Sequence, residues 1–507
     1  MLRHTSVKSA LHRFLAVGAL LLLGFCPTQA TGYFEWSPLA QQAYQKATQL
    51  RFTEADNLLQ RLNTQEPDNL VALHIANYID FFKVYLNEDA EEFTRLEKNK
   101  NLRLAQIRKG DASSPWYLYL QADIRLHWAL ARLKFEEYST AFLEVNKAYK
   151  LLRDNARRFP DFMPNYKDLG ILHAAVGSIP DSYRWAVTGL SSLQGDLDRG
   201  RRELEQVLEY ARSNPFLFEE ETRVLYAYLL LHLSDLEDEA WKTLEGGQLQ
   251  PATNPLACFV MVNVAMRTGR NDEAIRLLEN RPQGRAFHPF WYLDFLHGVC
   301  LQRRLEAGAE VPLLRFVRYF KGRHYLKEAY QKLAWQALLD GKPEVYRQYM
   351  KELKQHGTSV VGSDASAQLE ASKGELPQPD LLRARLLFDG GYFSRAARQL
   401  ERLNAAHLTE KQHQLEHTYR LGRVYQALGR QREALQQFDR CIDTGETEPW
   451  YFACRSALEA GRIREHERKY SEAQAYYKRC LQMKPAEHAT GLHQQAKAGL
   501  QRIKKHL

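Results

Sequence analysis

At 507 residues the chain is too long for one compact core, so several domains or an open-ended repeat array are expected. A formal net charge of +9 is mild for that length; it permits attraction to acidic surfaces but falls short of a nucleic-acid binder's footprint, and no nucleic-acid partner is expected. The six cysteines hold no Cys-x-x-Cys pair and the 17 histidines no His-Glu-x-x-His, which removes the common redox and zinc motifs.

From the N-terminus, Arg3, Lys8 and Arg13 form a basic region, Phe14 to Phe25 an apolar run, and Pro27-Thr28-Gln29-Ala30 a small-residue processing site. About twelve apolar residues fall short of the roughly 20 that span a bilayer, so residues 1–30 are expected to be a cleaved signal peptide. Cys26 follows Leu23-Gly24-Phe25, which resembles a lipoprotein cleavage box, but the bulky Phe25 argues against lipidation. Loss of the three leader bases lowers the charge from +9 to +6. Cys258, Cys300, Cys441, Cys454 and Cys480 remain, an odd set that leaves at least one free thiol and an open pairing. No Asn-x-Ser/Thr sequon occurs, and no later segment reaches about eighteen uninterrupted apolar residues. The mature protein is therefore expected to be soluble and exported, in the periplasm or at the outer membrane of a Gram-negative bacterium.

Helical periodicity then runs to the C-terminus without sustained strand alternation. Small residues recur in one register: Ala43, Ala55 and Leu59 with Pro67, then Ala129, Ala141 and Ala148, then Ala274 with Leu278 and Ala396 with Leu400. Thr268 to Asn271, Asp340 to Pro343 and Asp389 to Tyr392 are turn signals inside helical hairpins, and about ten or eleven helix pairs are expected. Pro115-Trp116-Tyr117, Pro289-Phe290-Trp291-Tyr292 and Pro449-Trp450-Tyr451-Phe452 read as starts of first helices, with proline in the opening turn. Most of these rings are expected in the core between repeats. Gly195-Asp196-Leu197-Asp198-Arg199-Gly200 lacks the Lys-Ser/Thr of a phosphate loop and the ligand series of a calcium loop. It reads as a glycine turn with Asp196 capping the next helix. Arg315, Arg318, Lys321, Arg323 and Lys327 interleave with Phe316, Tyr319, Phe320 and Tyr325. They form a candidate patch for an anionic ligand such as a lipid headgroup or glycan, set against the plainer reading of a solvated basic helix face. The Gly-, Ser- and Ala-rich stretch 356–379 is expected to be a linker between an N-terminal array (31–355) and a C-terminal one (380–507) that ends in a capping helix.

The repeat is clearest beyond that linker. Gly422, Tyr425, Ala434, Phe438 and Cys441 are echoed 39 residues on by Gly461, Arg464, Ala473, Tyr477 and Cys480, closed by Pro485. Glycine on a first helix lets the second approach, the alanine fills the matching notch, and the aromatic packs across the pair; the proline helps stop the helix. This spacing resembles the tetratricopeptide repeat, which implies an all-α fold, a right-handed α-solenoid of helix hairpins. Within residues 170–200, Gly177-Ser178-Ile179-Pro180, Gly189, Gly195-Asp196 and Gly200 resemble the signature of the inclusion-body-clearance family of tetratricopeptide proteins. That family includes outer mitochondrial membrane proteins and Bacteroidetes-type envelope relatives. Phe320 to Lys327 and Leu386 to Tyr392 are similar to segments of the same bacterial group. The resemblance implies relatives and a fold, with no defined catalytic activity.

In the repeat register Tyr419, Arg423 and Gln426 of one first helix, with Arg455, Leu458 and Arg462 of the next, are expected to point into the concave groove. Three arginines there suit acidic side chains or a terminal carboxylate, although the Lys/Asn pattern of chaperone-type carboxylate clamps is absent. No catalytic residue, metal ligand or cofactor is assigned; His413 with His417, four apart, and His466-Glu467 read as exposed polar helix residues. The expected function is a non-catalytic envelope scaffold that holds a protein or peptide in its concave face. Alternatives are a peripheral membrane-associated assembly factor contacting anionic lipid or glycan, and an enzyme acting on envelope polymers.

Overall fold

The computed structural model describes residues 32–178, 193–233, 236–247, 249–403 and 408–507. Among the described residues there are 24 α-helices, no strand, and two isolated bridges. Eleven consecutive hairpins take up all but two of the helices. The first four are α1 (Pro38–Thr48) with α2 (Phe52–Gln65), α3 (Val71–Asn87) with α4 (Ala90–Ile107), α5 (Pro115–Lys134) with α6 (Tyr138–Arg158), and α7 (Pro164–Gly177) with α8 (Leu197–Ser213). The next four are α9 (Glu219–Leu233) with α10 (Glu237–Glu245), α11 (Pro255–Arg267) with α12 (Asn271–Glu279), α13 (Tyr292–Arg304) with α14 (Glu310–Tyr319), and α15 (Leu326–Leu339) with α16 (Pro343–Gln355). After a single helix α17 (Gly362–Lys373) come α18 (Pro379–Asp389) with α19 (Phe393–Arg402), α20 (Lys411–Ala427) with α21 (Gln431–Gly445), and α22 (Phe452–His466) with α23 (Tyr470–Gln482); α24 (Ala489–Ile503) caps the array.

The register seen in the sequence is a steric one. A Cβ on Gly422 would lie 2.6 Å from the Phe438 ring, and one on Gly461 2.6 Å from the Tyr477 ring, so each second helix seats its aromatic where the first has no side chain. Ala434 and Ala473 are fully buried beside them. At α7–α8 the approach is closer still: a Cβ on Gly200 would sit 2.4 Å from the Gly170 carbonyl oxygen. The glycines flanking the family-like signature are thus demanded by helix contact, and Asp196 caps α8 by accepting from the Arg199 N–H at 2.8 Å. Ile179, Pro180 and Gly189 of that signature lie outside the described residues. Ser114 accepts from the Trp116 N–H and starts α5 with Pro115 in its first turn. Pro289 and Pro449 differ: α13 and α22 begin three residues after them, so those prolines shape the preceding loop.

The stretch 356–379 contains α17 rather than open chain. Its Ala367 and Ala371 are buried with Trp335 of α15 and with Leu382 and Leu386 of α18 in one apolar cluster. Beyond it, the α18–α19 turn rests on the α11–α12 turn, where the Tyr392 hydroxyl is 3.0 Å from the Asn271 amide and donates to Asp272 at 2.6 Å. All five described cysteines are free and buried; Cys454 and Cys480 face each other with Sγ atoms 3.5 Å apart.

The N-terminal hairpins wind until their ends touch. The His288 N–H donates to the Leu50 carbonyl at 2.8 Å, its ring lies 4.8 Å from that of Phe52, and its Nε2 is 2.8 Å from the Asn87 amide. Next to it Glu88 accepts from the Arg323 and His324 N–H groups at 3.2 Å and pairs with Lys134 at 2.9 Å. Lys321 reaches Asp89 at 3.0 Å, and Arg323 pairs with Glu136. Residues more than 200 apart in sequence are joined by this seam.

Two outcomes follow from this packing. Gly461→Val is expected to lose about 1–3 kcal/mol in urea unfolding through overpacking against Tyr477, whereas Gly491→Ala, with nothing within 4 Å of the added Cβ, stays neutral or gains up to about 1 kcal/mol. Burial, helped by Lys83, lowers the His288 imidazole to about 4, so the native ring is neutral while the unfolded one binds a proton below its usual value. Its contribution to stability is complete above about pH 6.5 and is lost as pH falls toward 4. Thermal melts should therefore show wild type losing more stability than His288→Gln across that window; parallel pH profiles would contradict the assignment.

Candidate partner-binding groove

Tetrad spacing on a helix places every third or fourth side chain on one face. In the C-terminal hairpins the first helices α18, α20 and α22 lie side by side, and their inner faces share one groove. From α20 come Arg423 and Gln426; from α22 come Arg455, Glu459 and Arg462, one turn apart. Glu459 is buried and gathers them: Arg455 Nε at 2.9 Å, Arg462 Nη1 at 3.1 Å, Arg423 Nη1 at 3.5 Å, and the Gln426 amide donating at 3.3 Å. Arg462 also donates to Gln495 of α24 at 2.8 Å. Burial raises the Glu459 carboxyl's pKa, but the three guanidiniums outweigh it and hold the group below the usual carboxylate value.

The arginines named from the sequence therefore do meet, on a carboxylate that the sequence reading did not single out. Its position one turn from Arg455 and from Arg462 was the available signal. Leu458, expected in the groove, instead turns into the core and is fully buried. Tyr419 is mostly buried, packed 5.7 Å from Phe452, with its hydroxyl accepting from Arg423 at 3.4 Å.

Beside this cluster the groove deepens into a hollow of about 320 Å³ walled by Phe388, Tyr419, Tyr451, Arg385, Arg420 and Arg423. The Arg423 guanidinium lies over the Phe388 ring at 5.3 Å, and its buried Nε has no acceptor among the described residues. Arg420 is held by Glu416 at 2.7 Å, and Arg385 lies 3.9 Å from Asp389. Among the described residues Arg385, Arg420, Arg423, Arg455 and Arg462 pair with Asp389, Glu416 and Glu459, with Glu465 near Arg462, and the groove keeps a positive excess.

The concave side of the first hairpins is filled from within. Extended residues 33–35 pair with the α2–α3 turn, Tyr33 and Leu70 exchanging backbone bonds with Asp68 and Tyr33 at 2.9 Å. That anchor drives Trp36 inward against Tyr44, His74, Trp116 and Phe218, with ring centres 5.5–6.0 Å apart. Beneath these rings Lys167 of α7 lies 2.8 Å from Glu221 of α9, 3.2 Å from Asp168 and 3.7 Å from Asp123 of α5, while His74 of α3 is 2.6 Å from Asp123. Burial raises both aspartates; His127, Lys167 and His74 outweigh it at Asp123, which stays well below its usual value, whereas Asp168 is pushed up to about 8. Clusters with such shifts often mark catalytic sites. Here Trp36, Trp116 and Phe218 cover the charges, which tie α3, α5, α7 and α9 together.

The five-residue basic patch is not assembled. Arg315 pairs with Asp294 at 2.8 Å and Arg318 lies over Tyr319, both on α14. Lys321 and Arg323 are spent on the seam to Asp89 and Glu136. Lys327 is buried and donates to the Leu353 carbonyl at 3.0 Å, because α15 turns its first-turn lysine toward the end of α16. His417, expected to be exposed, is buried with its Nε2 3.0 Å from the Leu400 carbonyl. Among the described residues no group of three or more His, Cys, Asp or Glu side chains is placed to hold a metal ion, and no helix is long and apolar enough to cross a membrane.

The family model for the tetratricopeptide repeat matches residues 419–444 and 455–487, the two hairpins that build most of the groove. No curated protein matches the chain. Among solved structures, a monomeric mutant of IFIT1 with Gppp-AAAA is 17% identical over 82% of this chain and 86% of that one, with a TM-score of 0.28. The TPR domain of P58(IPK) is 15% identical over 82% and 98%, TM-score 0.22, and yeast Tom70 is 12% identical over 92% and 89%, TM-score 0.22. Tetratricopeptide proteins in general mediate protein–protein interactions.

Proposed function

We propose that this tetratricopeptide repeat protein is a non-catalytic envelope scaffold that holds an acidic, extended segment of a protein partner in the groove of α18, α20 and α22. The convergence of three arginines on the single buried Glu459 carries the reading. One carboxylate can neutralise one guanidinium, so the remaining positive charge is fixed in place and partly desolvated, where an incoming carboxylate gains most. Phe388, Tyr419 and Tyr451 supply rigid apolar walls for the side chains between the acids. The helices are already ordered before binding, so association costs little conformational entropy on the scaffold side. Export to the periplasm or outer membrane is supported by the basic, apolar and small-residue succession of residues 1–30.

Capture from detergent-solubilised envelope of the producing cell tests this directly. The partner bound by wild type should be lost, by tenfold or more, with Arg423→Glu combined with Arg462→Glu, and its binding should weaken as salt rises. Glu459→Gln, which removes the internal competitor, should hold the same partner more tightly. Undiminished capture by the charge-reversed protein, with its helical content intact, would sink the proposal.

A further inference from the structure

A second hollow, of about 420 Å³, lies where the N-terminal turn of hairpins closes on itself. One wall is the inner face of two neighbouring first helices. Val224, Tyr228 and Leu231 of α9, and Val260, Asn263 and Arg267 of α11, recur at three- and four-residue steps, so each set forms one stripe. The opposite wall is the seam itself: Tyr85 and Glu88 at the end of α3, Lys134 at the end of α5, and Phe320 and Tyr325 around the loop before α15. Phe290 and Tyr292 close the floor between them.

The two sides differ in charge. On the seam Lys134 is neutralised by Glu88 at 2.9 Å and sits over the Tyr85 ring at 5.0 Å, so nothing there is left to attract an ion. On α11 Arg267 is exposed at the rim and makes no ion pair or hydrogen bond among the described residues. The exposed Tyr228 ring lies 4.3 Å from the His232 ring, tilted at 39° to it. Burial and the nearby Arg267 lower the pKa of the His232 imidazole. An aromatic hollow with one uncompensated guanidinium at its lip matches a ligand with a flat apolar body and a single anionic group.

We infer that this hollow is a binding site for a small amphipathic monoanion, its aromatic or acyl body held among Tyr85, Tyr228, Phe259 and Tyr292 and its acid group paired with Arg267. The volume falls within the roughly 300–1,000 Å³ of small-molecule pockets. The site is separate from the C-terminal groove and stands whether or not that groove binds an acidic segment. Its occupant would lie between the middle of the turn, at α9 and α11, and the seam where the ends of the turn meet.

Fluorescence titration with two probes on the full chain tests the inference: anionic 8-anilinonaphthalene-1-sulfonate, and its neutral counterpart N-phenyl-1-naphthylamine. Wild type should bind both saturably at one site. Arg267→Gln should weaken the sulfonate about tenfold and leave the neutral probe unchanged, while Tyr228→Ala weakens both; both positions are exposed, so the fold tolerates the changes. Arg276→Gln, on the exposed face of α12 where the arginine pairs with Glu273, should alter neither. Absence of saturable binding, equal affinities in wild type and Arg267→Gln, or an equal loss on Arg276→Gln would each overturn the assignment.

Discussion

Two helices approach closely where the facing residues are small, and this protein places glycine or alanine at such contacts in hairpin after hairpin. Phe438 over Gly422 and Tyr477 over Gly461 show it most plainly, and Gly170 against Gly200 carries it to backbone contact. A hairpin made this way buries the face between its own helices and leaves an apolar flank on the outside. It is stable only when a neighbour covers that flank, so hairpins stack. Stacking curves the array until α2 and α3 meet the loops before α13 and α15. The concave groove and the closed hollow are consequences of that curvature, and neither required a dedicated domain.

The fold class and the hairpin count were legible because the register survives in alanine and glycine. The inner turns of the hairpins need one residue in the left-handed region, and Gly269, Gly341, Gly391 and Gly429 supply it with φ of 72°, 76°, 80° and 74°, which made those turns legible. At Leu50, Glu136 and Arg468, with φ of 58°, 62° and 60°, the same conformation carries no turn signature in sequence. Helix α17 was hidden by composition: Gly362, Ser363, Ala365 and Ser366 read as linker, although Ala367 and Ala371 at helical spacing pack into the core. Tertiary contact overrode weak local preference there.

The candidate groove was half visible. Register placed Arg423, Arg455 and Arg462 on one face, and the structure brings them together. It did not reveal that Glu459 sits at their centre, because a lone acid among arginines on a helix usually reads as an ordinary surface pair. The basic stretch near residue 320 shows the opposite case. Sequence proximity suggested a surface, but Lys321 and Arg323 are drawn to Asp89 and Glu136, residues that only the closure of the turn brings near. The described bases thus include structural ties as well as the groove arginines, where positive charge exceeds its partners.

Site-specific photocrosslinking in the producing cell tests, face by face, whether the inner face of the C-terminal hairpins holds the proposed partner. A benzophenone side chain at Phe388 or Tyr451, which line the groove, is predicted to trap a discrete protein adduct. The same group at Tyr138 or Leu143, exposed on the second helix α6, is predicted to trap none. Adducts formed from α6 but not from Phe388 or Tyr451 would contradict the account.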